Sequence, residues 1–189
     1  MWTQSVLGRL EEVLELNRAF LGYARSCARA GLDRLSLSPA MQRALSAATN
    51  EQLDAAATLR HALFRVRVHE VPTGAVSDTL DADGRSLCQS ILFEVRHVTR
   101  ESPYLARFLF GLEAAEIARL RETTFAELQR LALTPGVVSV SFRERDWVLR
   151  MLLTTTTAEV HELLALVALQ PRIRGEWPIR RAPHHARAR

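Results

Sequence analysis

The sequence predicts a mainly α fold, helical with helix-turn-helix-like hairpins and a few short β-strands. Three observations predict it. Leucine and alanine dominate, and only 8 of the 189 residues are glycine, a composition that favours helix. Apolar residues recur at spacings of three and four along much of the chain. Helix-start signals then punctuate it at Ser38-Pro39, Thr49, Ser102-Pro103 and Thr124, where a hydroxyl caps the free N–H groups of a first turn. With 48% hydrophobic residues, the chain can bury a core as one domain or two small ones.

The elements follow in order. Val6, Leu7, Leu10, Val13, Leu14, Asn17, Phe20, Leu21, Ala24 and Ala28 share one face of a helix over about 3–30. Gly31 suits the position just past its end, and Arg25 and Arg29 suit the negative end of its dipole. So long a helix serves either as an interface, the spine of a dimer, or as packing within one chain. Leu10, Leu14, Phe20 and Leu21 are the candidate partner or dimer contacts. Ser38-Pro39 opens a second helix through Met41, Leu45 and Ala48. Thr49 with Gln52 forms a capping box that opens a third, carrying Leu53, Ala56, Ala57 and Leu59. Leu63–Val68 alternates apolar and basic residues, as a half-buried strand does.

A stretch rich in Pro, Gly and Asp follows, and 71–85 reads as a linker. Helical spacing resumes at Ser86 with Leu87, Ile91, Leu92, Val95 and Val98. Ser102-Pro103 starts another helix, and Thr124 with Glu127 forms a second capping box. Pro135-Gly136 is a turn, and Val137–Arg143 is a β run. Trp147–Leu153 is either the hairpin partner of that run or a helix. The expected partition is a first helical repeat (1–70), a linker (71–85), a second repeat with short strands (86–153), a C-terminal helix (154–170) and a basic tail (171–189) read as disordered.

An internal echo supports two repeats. A shift of 75 aligns Leu37 with Leu112, Ala40 with Ala115, Leu45 with Leu120, Thr49 with Thr124, Leu53 with Leu128 and Ala57 with Ala132. Leu/Ala-rich helices give some such matches by composition, but the two threonine caps are not composition-driven. The reading is a tandem duplication, against the alternative of two unrelated helical hairpins.

Charge is unevenly placed. All 25 basic residues are arginine, and the net charge is +4. Residues 172–189 hold six arginines and one glutamate, so the tail carries about +5 and the body about −1. Such a tail contacts phosphate or an acidic surface, or simply solubilises the chain's end. Arg60, Arg65 and Arg67 cluster near the end of the third helix and the first strand. With Arg130 and the tail residues Arg172, Arg174, Arg180 and Arg181, they are the candidate phosphate contacts. In the hairpins, Asn50, Gln52, Asp54, Arg60 and His61, and then Glu127, Gln129 and Arg130, are the candidate exposed polar residues for a DNA groove.

Catalytic and metal-binding patterns are missing. There is no Gly-rich phosphate loop, no Cys-x-x-Cys or His-x-x-x-His pair and no Gly-x-Ser-x-Gly elbow. An enzyme is therefore not expected, nor a metal or other cofactor. Cys27 and Cys88 are too few for a structural zinc site, and a disulfide is not expected. No apolar run approaches the ~20 residues that span a bilayer. Glu11 and Glu12 stand where a signal peptide needs an apolar run. A cytoplasmic location, away from membranes, is expected.

The long first helix, the Leu-rich helical pair and the basic-aromatic strand occur here as Leu16-Asn17-Arg18-Ala19-Phe20-Leu21, Leu35-Ser36-Leu37, Leu45, Leu53 and Leu63-Phe64-Arg65-Val66. In this order they resemble the FlhD subunit of the FlhDC-type bacterial transcription activators, over about residues 10–68. The resemblance implies a dimeric, mostly helical subunit that binds an FlhC-like zinc-binding partner. With it, the subunit would bind double-stranded promoter DNA and switch on flagellar or conjugative-transfer genes. It also implies that any zinc belongs to the partner. Family members are much shorter, so two copies in one polypeptide would stand in for a homodimer. The cysteine some members carry before the basic strand is replaced here by Ala62 or Leu63, so an interchain disulfide is not expected there. The competing reading is an interaction module, an adaptor or anti-activator, that binds protein only.

Overall fold

The computed structural model describes residues 2–35, 37–68, 80–134, 136–140 and 146–154. It is mainly helical. The order is α1 (Trp2–Arg29), α2 (Pro39–Ala47), α3 (Asn50–Ala57), β1 (Phe64–Val66), α4 (Ala82–Glu101), α5 (Pro103–Phe110), α6 (Ala114–Glu122), α7 (Phe125–Ala132), β2 (Val138–Val140) and α8 (Asp146–Thr154).

The predicted caps are in place. Ser38 Oγ accepts from the Met41 N–H, Thr49 and Gln52 close one capping box, and Thr124 and Glu127 close the other. Past α1, Gly31 takes φ 68°, and the Leu32 N–H returns to the Cys27 carbonyl at 2.9 Å. That closing bond ends the helix without stranded carbonyls. Two expectations need correction, the start of α4 and the length of the first strand, and one alternative is decided. α4 starts at Ala82, not Ser86, because the Asp81 carboxylate caps it by accepting from the Gly84 N–H at 2.8 Å. The linker reading therefore ran too far. Trp147–Leu153, left open between strand and helix, lies in α8. The first strand is three residues rather than six. The expected helix beyond Thr154, the tail and 141–143 of the second β run lie outside the described residues.

β1 and β2 form a two-stranded antiparallel sheet that joins the halves. Phe64 faces Val140, Arg65 faces Ser139 and Val66 faces Val138. Around it lies one core. Phe20 of α1, Phe64 of β1 and Phe110 of α5 form a chain of tilted rings with centroids 5.7 and 6.1 Å apart. The Ala62 N–H also donates to the Leu109 carbonyl at 2.7 Å, a second backbone link between the halves.

The two halves repeat one unit. Shifting α2 and α3 by 75 lands on α6 and α7 with identical bounds. The long helices obey a different shift. Val13, Asn17, Phe20, Leu21, Ala24 and Cys27 are buried in α1, and 71 residues later stand Gly84, Cys88, Ile91, Leu92, Val95 and Val98, all buried in α4. The same two shifts relate polar contacts. Arg25 and Arg29 donate to the carbonyls of Ala48 and Ser46. Arg96 and Arg100 donate to those of Thr123 and Arg121. In each half, an i, i+4 arginine pair on the long helix satisfies the carbonyl end of the first short helix, where its dipole is negative. The four-residue difference between the shifts falls in the connection, where α5 occupies the second half.

One site breaks the equivalence. Asn17 is fully buried. Its amide donates to the Leu59 carbonyl at 3.1 Å and the His61 carbonyl at 2.9 Å, and its oxygen accepts from the Leu63 N–H at 2.8 Å. It thereby ties the turn between α3 and β1 to α1. The equivalent residue in α4 is Cys88, which has no such reach. There the turn closes on itself, with Gly136 at φ 78° and the Val137 N–H on the Thr134 carbonyl.

Replacing Asn17 by alanine strands two carbonyls and an N–H in the core. We expect a loss of about 2–4 kcal/mol of unfolding free energy. Asn17→Asp should be comparably damaging, since a carboxylate cannot donate to the two carbonyls. Urea denaturation measures this, and a loss below about 1 kcal/mol for Asn17→Ala would rule out the clamp.

Candidate functional site

The described arginines among the candidate phosphate contacts fall into two groups. Arg60 and Arg130 are exposed. Arg65, by contrast, keeps only 17% of its side chain exposed, and its Nη2 lies 3.5 Å from Glu113 Oε1 at the start of α6. Arg67 is half-buried. Arg65 lies in β1, which pairs with β2, and Arg67 just beyond it donates its backbone N–H to the Val137 carbonyl at 2.9 Å, so the pair belongs to the junction rather than to an open basic surface. Arg172, Arg174, Arg180 and Arg181 lie outside the described residues.

The hairpin residues are similarly committed. Asn50 Oδ1 accepts from Arg25 at 2.8 Å, Asp54 pairs with Arg18 at 2.8 Å, and Gln52 and Glu127 close their capping boxes. His61, expected to be exposed, is buried, because the Asn17 clamp folds its backbone under α1. Burial holds its imidazole neutral, with the pKa lowered to about 4. The first hairpin packs against both α1 and α8. Of these candidates, Arg60, Gln129 and Arg130 are exposed and have no side-chain hydrogen bond among the described residues.

The interface candidates sit at different depths. Phe20 and Leu21 are fully buried in this chain's own core, so a surface made of them is internal. Leu10 is half-buried against that core and Leu14 is half-buried.

A groove that sequence reasoning did not anticipate lies among the described residues, with a volume of about 860 Å³ between α1 and α4. Its lining consists largely of equivalent pairs at the 71-residue shift. Leu16 and Leu87, and Ala19 and Ser90, line it. So do the pairs Glu12 and Asp83, Glu15 and Ser86, and Tyr23 and Glu94. The strand register is symmetric in the same sense, with Phe64–Val140 and Val66–Val138 flanking the central Arg65–Ser139 pair. The helices approach closely at Gly84, where an added Cβ would strike the Tyr23 ring.

Acidic groups dominate the groove. Arg9 bridges the two helices, reaching Glu12 at 2.6 Å, Glu94 at 3.2 Å and Glu101 at 2.9 Å. Burial, then the neighbouring Glu12, pushes the Glu94 carboxyl up to about 7, against the pull of Arg9. At the other end Asp81 accepts from the Tyr23 hydroxyl and pairs with Arg34. The thiols do not supply a nucleophile. Cys27 and Cys88 are free and buried, and burial raises both, Cys88 to about 11, so they stay protonated near neutrality. Among the described residues no cluster of His, Cys, Asp and Glu is arranged to hold a metal ion, and no helix is long and apolar enough to cross a membrane.

No protein family, curated protein or solved structure matches this chain.

Two opposite pH dependences follow. Glu94 binds its proton more tightly folded than unfolded. Its stabilising contribution is therefore full below about 4.5 and is lost as pH rises to about 7. Relative to wild type, Glu94→Gln should gain about 1–2 kcal/mol as pH is raised through this window, after allowing for solvent screening. His61 is depressed, so its contribution is full above about 6.5 and is lost as pH falls to about 4. His61→Leu should flatten the acid limb of the stability profile by about 2–3 kcal/mol. Thermal or urea melts from pH 4 to 8 read both. A Glu94→Gln profile parallel to wild type would refute the first.

Proposed function

We propose that this chain is the FlhD-like subunit of a heteromeric, DNA-binding transcriptional activator, working with an FlhC-like zinc-binding partner on flagellar or conjugative-transfer promoters. The observation that carries the reading is the repeated unit. Each half has a long helix, a capped helical hairpin and a short strand, and the two strands pair across a local two-fold axis. That is the dimer the resemblance calls for, drawn into one polypeptide by tandem duplication. Phe20 and Leu21, offered as dimer contacts, then act inside the chain, and the outer surface is left for the partner.

DNA contact under this reading falls to Arg60, Arg130 and the arginines of the tail, with phosphates as the target. Arg65 and Arg67 take a structural part at the junction of the halves. The competing reading, a module that binds only protein, draws support from the acidic groove and from how few hairpin side chains remain available for base edges.

Recovery of the tagged chain from its native host, with mass spectrometry of what co-elutes, separates the two. A stoichiometric partner with a four-cysteine zinc signature is the expected result; its absence would remove the activator reading. In the reconstituted pair, Arg60→Ala and Arg130→Ala should each reduce the slope of log affinity for DNA against log salt by roughly 0.9. Unchanged slopes would clear both residues of phosphate contact.

A further inference from the structure

We propose that the groove between α1 and α4 receives this chain's own C-terminal segment, residues 155–189, with its arginines on the carboxylate rim. Charge is the first argument. Among the described residues, five carboxylates line the groove, from Glu12, Glu15, Asp81, Asp83 and Glu94, and no arginine does. Glu12 and Glu94 share Arg9, and Asp81 has Arg34. Glu15 and Asp83 are exposed and have no ion pair among the described residues. Residues 155–189 carry six arginines and three glutamates, about +3, and all six arginines stand in 172–189, so the basic end is local as the acidic rim is local. The chain therefore brings its own complement to this rim.

Shape and reach agree. Leu16, Ala19 and Leu87 give the groove an apolar floor, and the run Leu163-Leu164-Ala165-Leu166-Val167-Ala168-Leu169 offers apolar side chains ahead of the arginines. Another 35 residues follow Thr154, the end of α8. α8 packs on α2 and α3, and both pack on α1, so the chain leaves within two helix layers of the groove, each roughly 10 Å thick. Eight residues, 155–162, precede the apolar run and cover roughly 12 Å as helix or roughly 27 Å extended. Tethering also keeps the segment at an effective concentration on the order of millimolar, which no free basic peptide in a cell matches. The inference does not depend on DNA binding. Under the activator reading, the same arginines are shared between groove and phosphate.

The chain contains no lysine, which makes the test clean. In the full-length protein, Arg174→Lys and Arg181→Lys each introduce the single side-chain amine. A zero-length carbodiimide then couples it only to a carboxylate already in contact. The expected products link position 174 or 181 to Glu12, Glu15, Asp81, Asp83 or Glu94 within one molecule. They should fall about ten-fold at about 0.5 M salt, where the Debye length is roughly 4 Å, and in the double variant Glu15→Gln, Asp83→Asn. Links to carboxylates elsewhere on the body, links between isotopically light and heavy copies, or no links from either position would overturn the assignment. DNA affinity is measured separately, so loss of the activator reading leaves this result standing, and the reverse holds too.

Discussion

Phe64–Val66 has no partner strand within its own half among the described residues. Its ladder hydrogen bonds are made by Val138–Val140, 74 residues later. A lone three-residue strand inside a core would leave its backbone N–H and C=O groups unpaired, at a cost that exceeds its own burial. The two halves are therefore obligate to one another. The rest follows from that pairing: Phe64 is placed between Phe20 and Phe110, Arg65 is drawn to Glu113, and α1 is brought against α4. The groove lies between α1 and α4, the two long helices that this pairing sets side by side.

Much of the local structure was legible from single residues. Ser38, Thr49, Ser102 and Thr124 mark helix starts because their side-chain oxygens reach back to a free N–H within the same turn, a purely local interaction. The pairing of the strands was not legible, because alternation in Leu63–Val68 specifies a half-buried strand and says nothing about who lies beside it. The repeat was visible only in the hairpins, where one shift of 75 holds. The long helices follow a shift of 71, and the residues of α5 between them hide the relation from any ungapped comparison. Gly84 read as part of a linker because glycine is a poor helix former. Its place inside α4 makes sense only once Tyr23 is seen lying over it.

The candidate site was less legible still. Asn17 sat in an otherwise apolar helical face, and a polar residue in such a face was the available signal for a buried clamp. Arg65 and Arg67 looked like a basic patch because sequence shows charge but not depth. Burial of the strand turns them from a surface into part of a junction, which moves the weight of any phosphate contact to Arg60, Arg130 and the tail. The acidic groove could not be seen at all, because its carboxylates come from two helices related only by the fold.

The pairing of β1 with β2 makes the two halves one cooperative body. The most direct measurement is to place a protease site between Glu70 and Thr79 of the full chain, cut it, and follow elution and melting. The expected result is that the nicked halves co-elute as one species and unfold in one transition close to that of the intact chain, their melting temperature falling on dilution. Halves that separate on elution while each stays folded, or that melt in two independent transitions, would contradict it.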